Sequence, residues 1–192
     1  MNSSITPRPN DTDPRRVTTP PPIDPSQLDA SEPIDLAAFK HAFRRHAAGV
    51  AAITTLAPDG SPVGFTATSL ASLSAVPPLA TFNMARSAST WPAIVESERV
   101  IIHMLGARNR SVAELLAGPH AARFVGDHWH PGPFGLPLLD GVTSWMVCRI
   151  IERVAVHNNA VVVVQIESGG MGIDDEALLY HERMFRTPGA AV

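Results

Sequence analysis

The sequence contains one cysteine, Cys148, so an intramolecular disulfide cannot form and a thiolate-rich metal site is excluded. Such sparing use of cysteine points to a reducing compartment, and the expectation is a cytoplasmic protein. Positive charge is not in excess: Lys+Arg 15 against Asp+Glu 18 leaves a net charge of -3. No field of that sign gathers nucleic acid or an anionic membrane surface, so neither is expected as a partner. No apolar run reaches the ~18 residues of a spanning helix, and the first residues, MNSSITPRPNDTDPRR, offer no signal-peptide core. What the chain does hold is 192 residues at 45% hydrophobic content, enough for one domain with a real core.

Residues 1–33 carry eight of the eighteen prolines and no aromatic residue. That composition buries too little surface to offset chain entropy, so a disordered tail is expected there, with a domain over 34–187 and a short tail over 188–192. The domain opens with Leu36, Phe39, Phe43 and Ala47 at helical spacing, capped by Asp35 and ended by Gly49. VAAITTL (50–56), the turn Pro58-Asp59-Gly60 and VGFTATS (63–69) read as a hairpin. Pro77-Pro78 then precedes a strand over 79–84, a helix follows from Trp91, and a strand spans 99–105. A second helix is expected from about Asn109, with Ser111 and Glu114 at capping-box spacing, stopping at Gly118-Pro119. Residues 126–141 read as a loop, 142–156 and 160–168 as two long strands joined at 157–159, and ALLYHERMF as a last strand. About six strands with hairpin-length links predict a mostly β, antiparallel barrel with flanking helices.

Two segments could carry chemistry. In GFTATSLASLS (64–74), hydroxyls at 66, 68, 72 and 74 share one strand parity, with Ser69 between them; they form either a solvent-facing stripe or a ligand-lining face. In Arg86-Ser87-Ala88-Ser89-Thr90 an arginine and three hydroxyls stand before a helix, either as an ordinary cap or as a phosphate cradle. His120, Asp127, His128 and His130 lie in a Gly/Pro loop without a regular scaffold, and no metal is expected. His103 reads as a hydrogen-bonded core histidine and Cys148 as a small buried residue.

These segments in this order resemble the flavin reductase-like family of FMN-binding split barrels. The resemblance rests on FRRHAAGVAAITT (43–55), GFTATSLASLS (64–74), Pro77-Pro78-Leu79, the Arg86 to Thr90 loop and Tyr180-His181, and runs from about residue 39 to residue 185. It implies an antiparallel, Greek-key-like split β-barrel. Thr66, Ala67, Thr68, Ser69, Leu70 and Ser72 would line the flavin, partly through backbone groups, with Asn83 nearby. Arg86, Ser87, Ser89 and Thr90 would hold the phosphate, and His181, the one catalytic candidate, would lie where the nicotinamide stacks. Thr68 and Leu70 replace the family's serine and phenylalanine, and Glu182-Arg183-Met184-Phe185 lacks the glycine that follows Tyr-His in the family.

The implied activity is an NAD(P)H:flavin oxidoreductase that binds FMN, or FAD, and uses NADH or NADPH to supply reduced flavin to a partner monooxygenase. A homodimer is implied as well. The alternatives are a flavin carrier or electron-transfer protein without turnover, and a flavin enzyme acting directly on an organic substrate.

Overall fold

The structure, a computed structural model, describes residues 35–190 and the pair Val17–Thr18. The expected tail over 1–33 lies outside the described residues except for that pair, strand β1 (Val17–Thr18), which runs parallel to Arg153 and Val154. Helix α1 (Leu36–Arg45) starts as expected, and the Asp35 carboxylate caps it by accepting from the Ala38 amide at 2.7 Å, but it stops at Arg45, short of Ala47 and of Gly49, which lies in a strand. Arg44 and Arg45 occupy its last turn, where the helix dipole favours cations. None of its residues is buried.

After β2 (Ala48–Gly49), β3 (Ala51–Leu56) and β4 (Pro62–Ala67) form the first predicted hairpin, in register from Ala51 opposite Ala67 to Leu56 opposite Pro62. The hydroxyl-bearing run, expected to show one polar face, is interrupted. β4 stops at Ala67, the chain bends at 68–70, and β5 (Ala71–Ala75) pairs instead with β6 (Pro78–Ala85). An irregularity between Ser72 and Ser74 also breaks the alternation, so the four hydroxyls do not share a face.

Helix α2 (Trp91–Glu96) and strand β7 (Arg99–Met104) follow. In α3 (Arg110–Ala117) the expected capping box is not used: Asn109 takes the cap position, and its Oδ1 accepts from the Gly106 amide at 3.0 Å. Glu114 pairs with Arg110 instead, and the helix stops before Gly118 as expected. The segment expected as plain loop holds a small hairpin of β8 (Trp129–Pro131) and β9 (Pro137–Leu139). The long pair is β10 (Ser144–Val156) with β11 (Asn159–Met171). The single last strand expected from the sequence is two, β12 (Leu179–His181) and β13 (Met184–Arg186), in one small sheet with β2.

The main sheet runs β4-β3-β7-β10-β11-β6-β5, with β1 added on β10. Its two end strands are consecutive in sequence, so the sheet must curl until the 68–70 connection can join them. No strand pairing links β4 to β5 among the described residues. Ser69 bridges that seam: its hydroxyl accepts from the Asn83 amide at 2.9 Å and donates to the Asn83 carbonyl at 3.1 Å. The fold is thus mostly β and antiparallel, a barrel split along this seam.

Inside it lie Ile53, Phe82, Ile102, Ile150, Val162 and Val164, all fully buried. β3 and β7 are covered on both faces. Ala52 and Val50 face α3 through Ala113 and Leu116, and Ile101 meets Leu136 beside the small hairpin. Two-sided burial explains why these strands carry apolar residues on both parities rather than alternating with polar ones.

Candidate functional site

The end of β4 sets the first wall of the site. Thr66 and Thr68, two residues apart, line a cleft of about 420 Å³ together with Val50, Glu114, Tyr180 and Phe185. Leu70 and Ser72 open on an adjoining cleft of about 270 Å³ that shares Val50. The bend at 68–70 therefore spreads the predicted residues over two neighbouring clefts rather than one strand face. Ala67 points the other way, into the barrel core, so it can offer a ligand only backbone groups. Ser69 is committed to the seam through Asn83, whose own side chain is exposed on β6.

The 86–90 loop follows β6 directly. Arg86, Ser87 and Ser89 are exposed, whereas Thr90 is buried at the start of α2 and makes no side-chain cap bond. The Arg86 amide donates to Asn158 O at 2.8 Å, and its guanidinium donates from Nη1 to His157 O at 3.2 Å. One guanidinium and two free-facing hydroxyls leave the loop well supplied with donors for an anion.

The far wall comes from the chain's C-terminal part. On β12, alternation puts Tyr180 on the cleft side and His181 on the other, half-buried. A carbonyl can only accept, so His181 Nε2 carries the proton shared with Arg45 O at 3.2 Å, tying the hairpin to the end of α1. Tyr180 and Phe185 meet edge to face with ring centroids 5.4 Å apart. Glu182 and Arg183 turn this hairpin with φ of +50° and +64°, the left-handed region that the missing glycine would occupy without strain. Arg123 braces the opposite side, donating to Gly64 O at 2.9 Å and Gly118 O at 3.0 Å, which holds the end of α3 against β4.

Sequence reasoning missed Phe185, Val50 and Glu114 as cleft walls. They sit far from Thr66 along the chain, and only the sheet order brings them together. The strand alternation around Tyr180-His181 was the one local signal that could have marked the tyrosine as a wall.

The other candidates settle into structural places. His103 is fully buried; the Leu139 amide donates to its Nε2 at 3.1 Å, so Nδ1 holds the proton and donates to Ala52 O at 3.3 Å. Cys148 is buried, and burial with the nearby Glu167 charge pushes its thiol up to about 12, which removes it as a nucleophile at neutral pH. His128 bonds Arg123 O and His130 bonds Asp140, and among the described residues no group of three or more His, Cys, Asp or Glu is arranged to hold a metal. No helix among them is long and apolar enough to cross a membrane.

The fold and these clefts define a split barrel with an aromatic-walled, hydroxyl-lined opening, and the 86–90 loop lines neither of the two clefts. Residues 43–189 match the flavin reductase like domain. The chain is 36% identical over 155 residues to an NADH:FMN oxidoreductase of Rhodococcus qingshengii, covering 78% of this chain and 80% of that protein. It is 30% identical over 143 residues to the reductase component of the flavin-dependent trigonelline monooxygenase of Acinetobacter baylyi, covering 74% of this chain and 46% of that one. The crystal structure of a flavin reductase domain protein from Arthrobacter sp. FB24 superposes with a TM-score of 0.78 at 49% identity, covering 81% of this chain and 97% of that one. The chain belongs to the flavin reductase-like domain family.

Proposed function

We propose that the protein is an NAD(P)H:flavin oxidoreductase that binds FMN, with FAD as the alternative, along the split of the barrel. The observation that carries this reading is the family match over residues 43–189 together with relatives named NADH:FMN oxidoreductase. The residues present suit such a cofactor. A cleft of about 420 Å³ lies within the usual range for small-molecule sites, and its walls combine the hydroxyls of Thr66 and Thr68 with the rings of Tyr180 and Phe185. Flavin, when bound, supplies the redox chemistry by accepting a hydride from the dihydronicotinamide.

The protein's own work is binding and alignment. Thr66, Thr68, Leu70 and Ser72 would hold the ring and ribityl chain by side-chain and backbone groups, with Asn83 at the seam. Arg86, Ser87 and Ser89 would take the phosphate through charge-assisted hydrogen bonds. Thr90, buried, would serve through its place at the start of α2. His181 and the hairpin that carries it would form the nicotinamide side, with the imidazole anchoring that hairpin to Arg45 O. Tyr180 and Phe185 would exclude water from the opening.

The chain acts as a homodimer in this reading. Leu36, Phe39 and Phe43 are 53%, 58% and 63% exposed on a helix with no buried residue, and Val76 and Met171 are 91% and 89% exposed. Such a surface is what a second subunit covers. A two-component monooxygenase is the partner that receives reduced flavin, by analogy with the Acinetobacter relative. One buried cysteine fits a cytoplasmic setting. Residues 34–187 are the flavin-binding domain in this reading, with Val17–Thr18 of the preceding tail adding a strand to its main sheet.

The site assignment is tested by titrating FMN and riboflavin into the wild type and Arg86→Ala. Hydrogen bonds to charged groups contribute about 1.5–3 kcal/mol each, so the variant should weaken FMN by about tenfold or more. Riboflavin, which has no phosphate, should bind as before. Equal weakening of both ligands would remove the phosphate from this loop.

A further inference from the structure

We infer that Arg153 is a positioning residue for the phosphate loop, holding the far end of the segment whose near end carries Arg86; the inference rests on the reading of 86–90 as the phosphate site. Arg153 lies on β10 and its side chain is completely buried. Its Nε donates to Ile94 O at 2.8 Å, and its Nη2 donates to Ser97 O. Both carbonyls belong to the end of α2, where main-chain acceptors have no partner within the helix and a positive charge is favoured.

Burying a guanidinium costs far more than burying an apolar chain of the same volume, so packing alone gives no reason for an arginine here. The bonds to Ile94 O and Ser97 O fix where α2 stops. Ser97 adds to the same junction, donating to Ala93 O at 2.7 Å and sharing a hydrogen bond with Thr55 at 2.7 Å.

The near end of the segment is tied to the same hairpin. The Arg86 amide and guanidinium bond the carbonyls of Asn158 and His157, which form the turn between β10 and β11. One hairpin end thus grips the 86–97 stretch at both ends, Arg86 at the turn and Ser97 at Arg153. Between them α2 is six residues long, and the Ile94 amide reaches back to Thr90 O at 3.2 Å. A shift of α2 at its Arg153 end therefore arrives at Thr90 and the 86–90 loop with no flexible link to absorb it. The residues proposed to hold the flavin ring, Thr66, Thr68 and Leu70, lie on a different connection, between β4 and β5.

The test titrates FMN and riboflavin into the wild type, Arg153→Met, Arg153→Lys and Arg86→Ala, with thermal unfolding recorded for each. Arg153→Met should weaken FMN by about fivefold or more while riboflavin changes by less than about twofold, and Arg153→Lys should recover part of the loss. A purely structural arginine would lower the unfolding temperature and leave the FMN-to-riboflavin ratio untouched. If Arg86→Ala shows the FMN-selective loss and Arg153→Met does not, Arg153 does not position the loop. If Arg86→Ala shows no selective loss, the phosphate reading fails and this inference falls with it. Should Arg153→Met not fold, Arg153→Lys decides, and an unchanged ligand ratio in that variant overturns the proposal.

Discussion

Acid should weaken this fold through a single buried imidazole. His103 is inaccessible to solvent, accepts from the Leu139 amide at Nε2 and donates from Nδ1 to Ala52 O. Burial pushes its pKa down from 6.5 to about 4, against a smaller upward pull from the bond to Ala52. Protonating Nε2 would also set a donor against the Leu139 N–H. Between pH 6.5 and about 4 the unfolded chain therefore holds a proton that the native state refuses. Stability is at its full value above the unfolded pKa and declines as pH falls toward the folded one, by up to about 1.4 kcal/mol per pH unit and about 3 kcal/mol in all. That is a large share of the ~5–15 kcal/mol typical of a domain. Urea unfolding across this window should show the slope, and His103→Gln supplies the control, since an amide can accept from Leu139 and donate to Ala52 without titrating. Asp175, held below the usual carboxylate range by the Arg108 amide, and Asp59, held there by the Ser61 hydroxyl, add their own acid sensitivity at lower pH and cancel in the difference. Parallel curves for wild type and His103→Gln between pH 6.5 and about 4 would mean that His103 does not carry the acid sensitivity.

His181→Ala should lower NADH turnover more than FMN affinity, because the proposed reading puts the imidazole on the nicotinamide side, while its bond to Arg45 O steadies the hairpin that also carries Tyr180 and Phe185; stopped-flow flavin reduction beside a binding titration checks this, and equal loss of both would place His181 elsewhere. Arg183→Gly should stabilise the protein by about 1 kcal/mol, raising the unfolding temperature by about 2–4 °C, since it relieves a side chain held at φ +64°. A lower unfolding temperature would mean that the Arg183 side chain makes contacts worth more than the strain.

Local signals carried the fold a long way. The Pro58-Asp59-Gly60 turn, the breaks at Pro77-Pro78 and Gly118, and the paired runs around 157–159 all stand where the chain turns or stops. These features depend on neighbours in sequence, so a reading of the sequence finds them. The polar run over 64–74 misled for a physical reason. Its parity is real, but the bend at 68–70 and the irregularity between Ser72 and Ser74 are imposed by closing the barrel on Asn83 and β6. The small hairpin of β8 and β9 was hidden by its Gly and Pro content, since its pairing is held by burial of Leu136 and Leu139 and by the Leu139 bond to His103. For the site, the Arg86 loop and the Thr66 segment were legible as residue types. That Tyr180 and Phe185 wall the same cleft as Thr66 was not, because β12 reaches that place only through its pairing with β2.

Reduction of flavin by a nicotinamide is tested by following NADH and NADPH oxidation by the purified protein with and without added FMN. Oxidation should rise with FMN and saturate, matched mole for mole by reduced flavin under anaerobic conditions. Failure of FMN or FAD to stimulate oxidation of either nucleotide, with the protein folded and flavin bound, would contradict it.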